Sequence, residues 1–282
     1  MTNKNSSRVW LITGCSTGFG RELAKSALQK GYPVAVTSRK IKDIEDIVNA
    51  YPDTALGIPL DVTKSEDIKA AIAKIKEKFG RIDVLVNNAG IGYFAALEES
   101  EEDEVRRMFE INFFGLANVT KAVLPIMRKQ RSGHIVNLSS TGGLAAFPGI
   151  GFYNATKFAV DGYSEALFKE VKPLGIKVTV IVPGPFRTDW AGRSAKDSPI
   201  IIDDYTETAM ANKNRMRGYS GKQPGDPVRA AAAIIKAVES SGPPLRLLLG
   251  SFALQVCRKK LDELKSDFDT WEEVSLSADF PS

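Results

Sequence analysis

The stretch Val9-Trp10-Leu11-Ile12-Thr13-Gly14-Cys15-Ser16-Thr17-Gly18-Phe19-Gly20 decides the fold. A strand-like apolar run over residues 9–13 breaks into a glycine-rich turn, and the helical pattern Leu23-Ala24-Lys25-Ser26-Ala27-Leu28 follows at once. Glycines let the chain turn tightly and let a pyrophosphate approach the main chain with no Cβ in the way. The following helix turns free N–H groups and its positive dipole end toward those phosphates. The spacing is Gly-x-x-x-Gly-x-Gly rather than Gly-x-Gly-x-x-Gly, so the position between strand and helix carries the inference. A dinucleotide is expected here, cradled by Gly14, Ser16, Thr17, Gly18, Phe19 and Gly20.

Working outward, residues 34–38, 56–60, 84–87, 135–138, 177–182 and 246–249 repeat the short apolar run, with helical patterns between them. Such alternation predicts an α/β fold: one Rossmann-type, doubly wound parallel sheet of about seven strands, covered by helices on both faces. Helix ends are readable. Gly31 and Gly80 stand where C-terminal glycine caps belong, Asp226-Pro227 reads as an N-cap followed by proline at the first helical position, and Ser100 with Asp103 resembles a capping box. Residues 189–225 interrupt the rhythm with glycine and proline around a short helix expected over 203–216. A long irregular segment late in such a domain predicts a substrate lid inserted into a single domain spanning 1–282. Residues 251–282 form a C-terminal extension, helical in period over 251–265 through Phe252, Leu254, Val256, Leu261 and Leu264, with an acidic end that has no assignment.

Composition narrows the function. Thirty-eight Lys and Arg against 34 Asp and Glu leave a net charge of +4, too small and too scattered to predict a nucleic-acid partner. Cys15 and Cys257 are far apart, which argues against a disulfide framework and for a reducing compartment. The polar start, residues 1–8, lacks a signal-peptide pattern, and no apolar run approaches the ~20 residues that span a bilayer, so a cytoplasmic protein off the membrane is expected. His134 is the only histidine. A metal site or a Ser-His-Asp triad would rest on it alone, so no metal is expected, and it reads as a partly exposed residue at a strand start.

The second strand distinguishes the dinucleotides. An NAD site usually presents a carboxylate about 20 residues beyond the glycines, toward the ribose hydroxyls. Here the strand ends Thr37-Ser38-Arg39-Lys40. Arg39 can form a bidentate, charge-assisted pair with a 2′-phosphate, Ser38 can add a hydroxyl, and NADP is the expected cofactor.

Chemistry is suggested by Tyr153-Asn154-Ala155-Thr156-Lys157, where a phenol and an ammonium four residues apart share one helix face. A nearby ammonium and an oxidised nicotinamide would both draw the tyrosine down from its usual pKa near ~10. Tyr-x-x-x-Lys is common by chance and gains meaning from Ser140, in Asn137-Leu138-Ser139-Ser140-Thr141 at the end of the 135–138 strand. Ligands bind at the carboxyl ends of strands in open α/β sheets.

Together these segments resemble the short-chain dehydrogenase/reductase family over about the first 190 residues, nearest its soluble, hydroxysteroid- and retinol-dehydrogenase-like carbonyl reductases. The resemblance implies that Asp61 and Val62 meet the adenine and that Asn88, Ala89 and Gly90 belong to the cofactor site. It likewise implies that Pro183, Gly184 and Thr188 anchor the nicotinamide. The implied catalytic set is Asn112, Ser140, Tyr153 and Lys157, with Asn112 inside a long helix and holding a water on the proton path. The implied reaction is hydride transfer between NADPH and a carbonyl, Tyr153 exchanging the proton and Lys157 also bonding the nicotinamide ribose. Tyr93, Phe94, Leu144, Phe147, Phe186 and Trp190 are expected around a bulky apolar small-molecule substrate, although these aromatics fit core or interface positions as well. Family pairing predicts a homodimer or homotetramer through residues 112–128 and 156–172. Two other readings are a non-catalytic dinucleotide-binding regulator and an extended-type sugar-nucleotide epimerase or dehydratase. The first need not keep Ser140, Tyr153 and Lys157 together; the second usually has a larger C-terminal domain and another glycine spacing.

Overall fold

The computed structural model describes residues 8–280. Seven strands form one parallel sheet: β1 (Trp10–Ile12), β2 (Val34–Ser38), β3 (Ala55–Pro59), β4 (Val84–Asn87), β6 (Gly133–Leu138), β7 (Ile176–Pro183) and β9 (Arg246–Leu249). Their spatial order is β3-β2-β1-β4-β6-β7-β9, so the winding reverses between β1 and β4. A crevice opens at the carboxyl ends of the strands at such a reversal, and this positions the site.

Alternation along each strand supplies both faces of the sheet. Trp10, Ile12, Val34 and Val36 pack beneath α1 (Gly18–Gln29), α2 (Glu45–Ala50) and α8 (Pro227–Glu239). Leu11, Ala35, Leu85 and Ile135 pack beneath α3 (Ser65–Phe79), α5 (Leu116–Gln130) and α6 (Gly151–Val171). Burying each large apolar side chain contributes about 1.5–3 kcal/mol, so the sheet is the rigid part of the molecule.

A second, two-stranded parallel sheet pairs β5 (Gly92–Phe94) with β8 (Ala195–Asp197), which ties the expected lid to the segment after β4. The short helix in this region is a 3₁₀ turn at Asp203–Tyr205, a π turn at Thr206–Met210 and then α7 (Ala211–Gly218). Helix α4 (Glu102–Phe109) runs into α5 through a π turn, Glu110–Gly115. After β9, α9 (Ser251–Thr270) and α10 (Glu272–Leu276) complete the described chain.

Several expectations shift. Strand β1 is one residue shorter at each end than 9–13, β3 starts one residue early, and β6 and β7 are longer than expected. No capping box forms at Ser100: Glu101 precedes α4, and the Ser100 hydroxyl instead donates to Ala96 O at 2.9 Å. Gly31 and Gly80 follow their helices at positive φ, and the Asp226 side chain accepts from the Val228 and Arg229 N–H groups, as expected. His134 is buried rather than partly exposed, its Nε2 is 2.9 Å from the Thr179 hydroxyl, and burial lowers its pKa to about 3. The reason is that β6 begins earlier than the apolar run, which places His134 inside the paired register with Lys177. The polar start falls almost wholly outside the described residues. Among those described, both cysteines are free and buried, and no helix is long and apolar enough to cross a membrane.

Candidate active site

A cleft of about 1220 Å³ lies over the winding reversal, lined by the β1–α1 turn, the ends of β2, β4 and β6, and α6. Gly14, with φ +71°, turns the chain, and a Cβ there would stand 2.9 Å from Ala89 Cα. A Cβ on Gly20 would collide with Asn88 Nδ2 and Gly14 O, so the helix start has room only for glycine. Asn88 is the brace behind this turn, its Nδ2 donating to Thr13 O at 2.8 Å and Gly14 O at 2.9 Å. The Thr13 hydroxyl accepts from the N–H groups of Asn88 and Ala89 at 2.9 and 3.0 Å. At the N-terminus of α1, Thr17 makes no side-chain cap, which leaves the first-turn N–H groups for a ligand. Gly14, Ser16, Thr17, Gly18, Phe19, Asn88, Ala89, Gly90, Pro183 and Thr188 line the cleft. Gly20 and Gly184 do not: Gly20 packs on Asn88, and the Gly184 N–H donates to Leu249 O at 3.0 Å while its Cα side faces α9.

Ser38, Arg39, Asp61 and Val62 line the other end of the cleft. Arg39 is exposed and makes no ion pair among the described residues. The Asp61 carboxyl lies below its ordinary range; burial opposes this, while hydrogen bonds from Thr63 and the charges of Lys64 and Arg39 favour the ionised form. Ser38 differs from expectation, because its hydroxyl is buried and donates to Lys40 O, leaving Arg39 as the free donor at the strand tip. A dinucleotide therefore fits the chain's own residues: a glycine cradle that a Cβ would fill and an unpaired guanidinium beyond it.

Tyr153 and Lys157, one turn apart on α6, both reach the middle of the cleft. Ser140, half-buried and outside the cleft lining, stands beside the phenol, and its hydroxyl accepts from the Gly142 N–H at 3.1 Å. Burial pushes Tyr153 up to about 12, opposed by the neighbouring Ser140 hydroxyl. The expected depression is thus absent from the free protein: Lys157 Nζ, 5.7 Å from the ring centroid, donates to Leu138 O at 2.8 Å, and desolvation dominates at the phenol. Burial also lowers Lys157 to about 8. Asn112 sits in the π turn rather than in a regular helix. Its amide accepts from Ile91 N at 2.8 Å and donates to Ile91 O at 2.9 Å and the Thr156 hydroxyl at 3.2 Å. The amide nitrogen is fully used, so Asn112 locks the segment after β4 onto α6 behind the cleft.

The family model of the short chain dehydrogenases matches residues 8–199. This chain belongs to that family. The dehydrogenase is 39% identical over 272 residues to Oxidoreductase BOA17 of Botryotinia fuckeliana, covering 96% of this chain and 99% of that one. It is 40% identical to the 3-ketodihydrosphingosine reductase of Bacteroides thetaiotaomicron, over 86% of this chain and 88% of that one. The crystal structure of a short-chain dehydrogenase from Streptomyces avermitilis superposes with a TM-score of 0.92 at 43% identity, covering 98% of this chain and 100% of that one. More distant solved structures hold NADP in one case and NADH in another.

Of the residues expected around the substrate, Trp190 lines the dehydrogenase's cleft, with its ring centroid 4.7 Å from that of Tyr153. Phe94 is fully buried in β5, Tyr93 is buried beside it, and both belong to the core beneath Trp190. Leu144 packs against Val180, Val182 and Cys257, Phe147 stacks on Phe252 at 6.2 Å, and Phe186 packs on Phe19 at 5.1 Å. None of these four phenylalanine and leucine side chains lines the cleft, because β5, α9 and, for Phe186, α1 draw them into packing that local sequence does not reveal. Arg217 escaped sequence reading altogether. From α7 its guanidinium donates to Ala191 O and Gly192 O at 2.6 Å and to Ala195 O at 2.7 Å, pairs with Asp197, and lies 4.6 Å over the Phe94 ring. Four bonds from one side chain thus hold the segment that carries Trp190, and only the fold joins positions so far apart.

Proposed function

We propose that this dehydrogenase uses NADP to interconvert a ketone or aldehyde with its alcohol, on a bulky apolar substrate, with Tyr153 exchanging the proton. The observation that carries the proposal is that Tyr153 and Lys157, both buried, open into the same cleft as the glycine turn, with the half-buried Ser140 beside the phenol. A bound nicotinamide would supply or accept the hydride. Tyr153, raised to about 12, is a protonated phenol at neutral pH and is ready to donate to a carbonyl oxygen. Ser140 supports that oxygen with its hydroxyl. Lys157, an ammonium below about pH 8, offsets the negative charge that develops on Tyr153 as the proton leaves. Asn112 and Thr156 are positioning residues for this helix face.

Arg39 supports NADP by its sign and its freedom to pair with a 2′-phosphate. Asp61, Val62, Pro183 and Thr188 complete the nucleotide contacts in this reading. Trp190 and Ile91 supply the apolar wall beside Tyr153, and a relative named as a reductase of a ketone supports a keto substrate. Residues 189–225 serve as the substrate-binding insertion of one domain, in a cytoplasmic homo-oligomer that pairs where Phe114 and Phe158 are exposed.

The cofactor reading is tested by kcat/KM for NADPH and NADH with a panel of apolar ketones. Losing a charge-assisted pair costs about 1.5–3 kcal/mol, so Arg39→Asp should lower kcat/KM for NADPH by about 10- to 100-fold and leave NADH less affected. Equal use of both cofactors by the unaltered enzyme would overturn the NADP assignment. Nucleotide binding without turnover on any ketone or alcohol would favour a non-catalytic regulator.

A further inference from the structure

Helix α9 docks on the body through its first two turns only: Ala253 and Cys257 are its buried residues. Beyond Cys257 about 13 residues, some 20 Å of helix at ~1.5 Å per residue, extend without a buried side chain. A lone helix of that length is marginal in water, because its stability normally comes from packing one apolar face. This one has such a face. Leu261, Leu264, Phe268 and Trp271 alternate three and four residues apart, the spacing of a two-helix seam. On that seam Leu261 is 65% exposed, Phe268 68% and Trp271 61%.

Charge is distributed unevenly along the same helix. Arg258, Lys259 and Lys260 stand just where it leaves the body, whereas Asp262, Glu263, Asp267, Asp269, Glu272 and Glu273 follow, with Lys265 the only cation among them. Within the helix Lys259 and Lys260 approach Glu263 at 3.8 and 3.7 Å, and Lys265 pairs with Asp269. Arg258, Asp262, Asp267, Glu272 and Glu273 have no ion-pair partner among the described residues. A parallel copy would set base on base and acid on acid. An antiparallel copy sets the basic root of each arm against the acidic end of the other, Lys259 and Lys260 toward Glu273 and Glu272, and closes the seam with Leu261 facing Trp271 and Leu264 facing Phe268 across a two-fold axis. The acidic end also disfavours an anionic membrane surface as the occupant.

We propose that the arm formed by α9 and α10 pairs antiparallel with the same arm of a second copy of this chain. The contact is separate from the exposed Phe114 and Phe158 on the π turn and α6. It is isologous, so it closes after two copies.

Sedimentation velocity of the full chain tests this. The double variant L261E/F268E should sediment at half the mass of the unaltered protein while still unfolding in one cooperative thermal transition, since both side chains lie outside the core. R258E/K259E/K260E should also halve the mass, and adding D267K/D269K/E272K to it should restore the full mass. Unchanged mass in L261E/F268E overturns the proposal, as does a failure of the second charge set to restore association. A mass step that Phe158→Glu removes and L261E/F268E does not would place the contact on α6 instead. Flotation of the unaltered protein with phosphatidylcholine–phosphatidylglycerol vesicles, without self-association, would make the occupant a membrane.

Discussion

Tyr153 and Lys157 are pushed in opposite directions by one cause. Burial disfavours the charged form of each, which raises the phenol to about 12 and lowers the ammonium to about 8. In the working range the phenol therefore stays protonated, and the group that titrates is Lys157. As pH rises through about 8 the ammonium is lost, and with it the positive charge that favours proton release from Tyr153. kcat/KM for ketone reduction should accordingly be level in mildly acidic to neutral solution and decline above about pH 8. A profile that stays level to about pH 10 would remove Lys157 from this role. His134, the one other group in the neutral range by type, is buried and neutral down to about pH 3, so it adds no limb of its own.

Among elements, the segment from Thr188 to Asp197 departs most from what its sequence suggested. The glycine turn was legible because strand, turn and helix are contiguous, and each residue's local preference agrees with its neighbours. Tyr153, Lys157 and Ser140 were legible through spacing and a strand end. By contrast, β8 is the short polar run Ala195-Lys196-Asp197, and its partner β5 lies a hundred residues earlier, so no local pattern announces either. Hence Phe94, read as a pocket residue, is core, and Arg217 was not read at all. Arg217 makes its four bonds only to the Trp190 segment, which locates its effect in substrate binding rather than proton transfer. Arg217→Ala should raise KM for the ketone about tenfold while changing kcat less than about threefold. An equal fall in kcat with KM unchanged would instead place Arg217 in the chemical step.

At the level of the whole molecule, the order β3-β2-β1-β4-β6-β7-β9 explains why residues scattered from Gly14 to Trp190 meet in one cleft. Each contributing loop leaves the carboxyl end of a strand, and the winding reverses where the glycine turn and Asn88 brace one another. The sheet needs only apolar runs of the right length and order, which is why its seven strands could be read with errors of one or two residues. The helical extension could be read as periodic, but its period does not say what it packs against; only the structure shows that α9 leaves the body after Cys257.

The central claim, that Tyr153 exchanges the proton in a hydride-transfer reaction, meets its most direct test in the Tyr153→Phe enzyme. NADPH binding is followed by its fluorescence, and turnover is followed by NADPH consumption with an apolar ketone. General acid–base catalysis contributes about 10²–10⁴-fold, so turnover should fall by at least ~10²-fold while the Kd for NADPH stays within about threefold. Turnover by Tyr153→Phe at the rate of the unaltered enzyme would contradict the account.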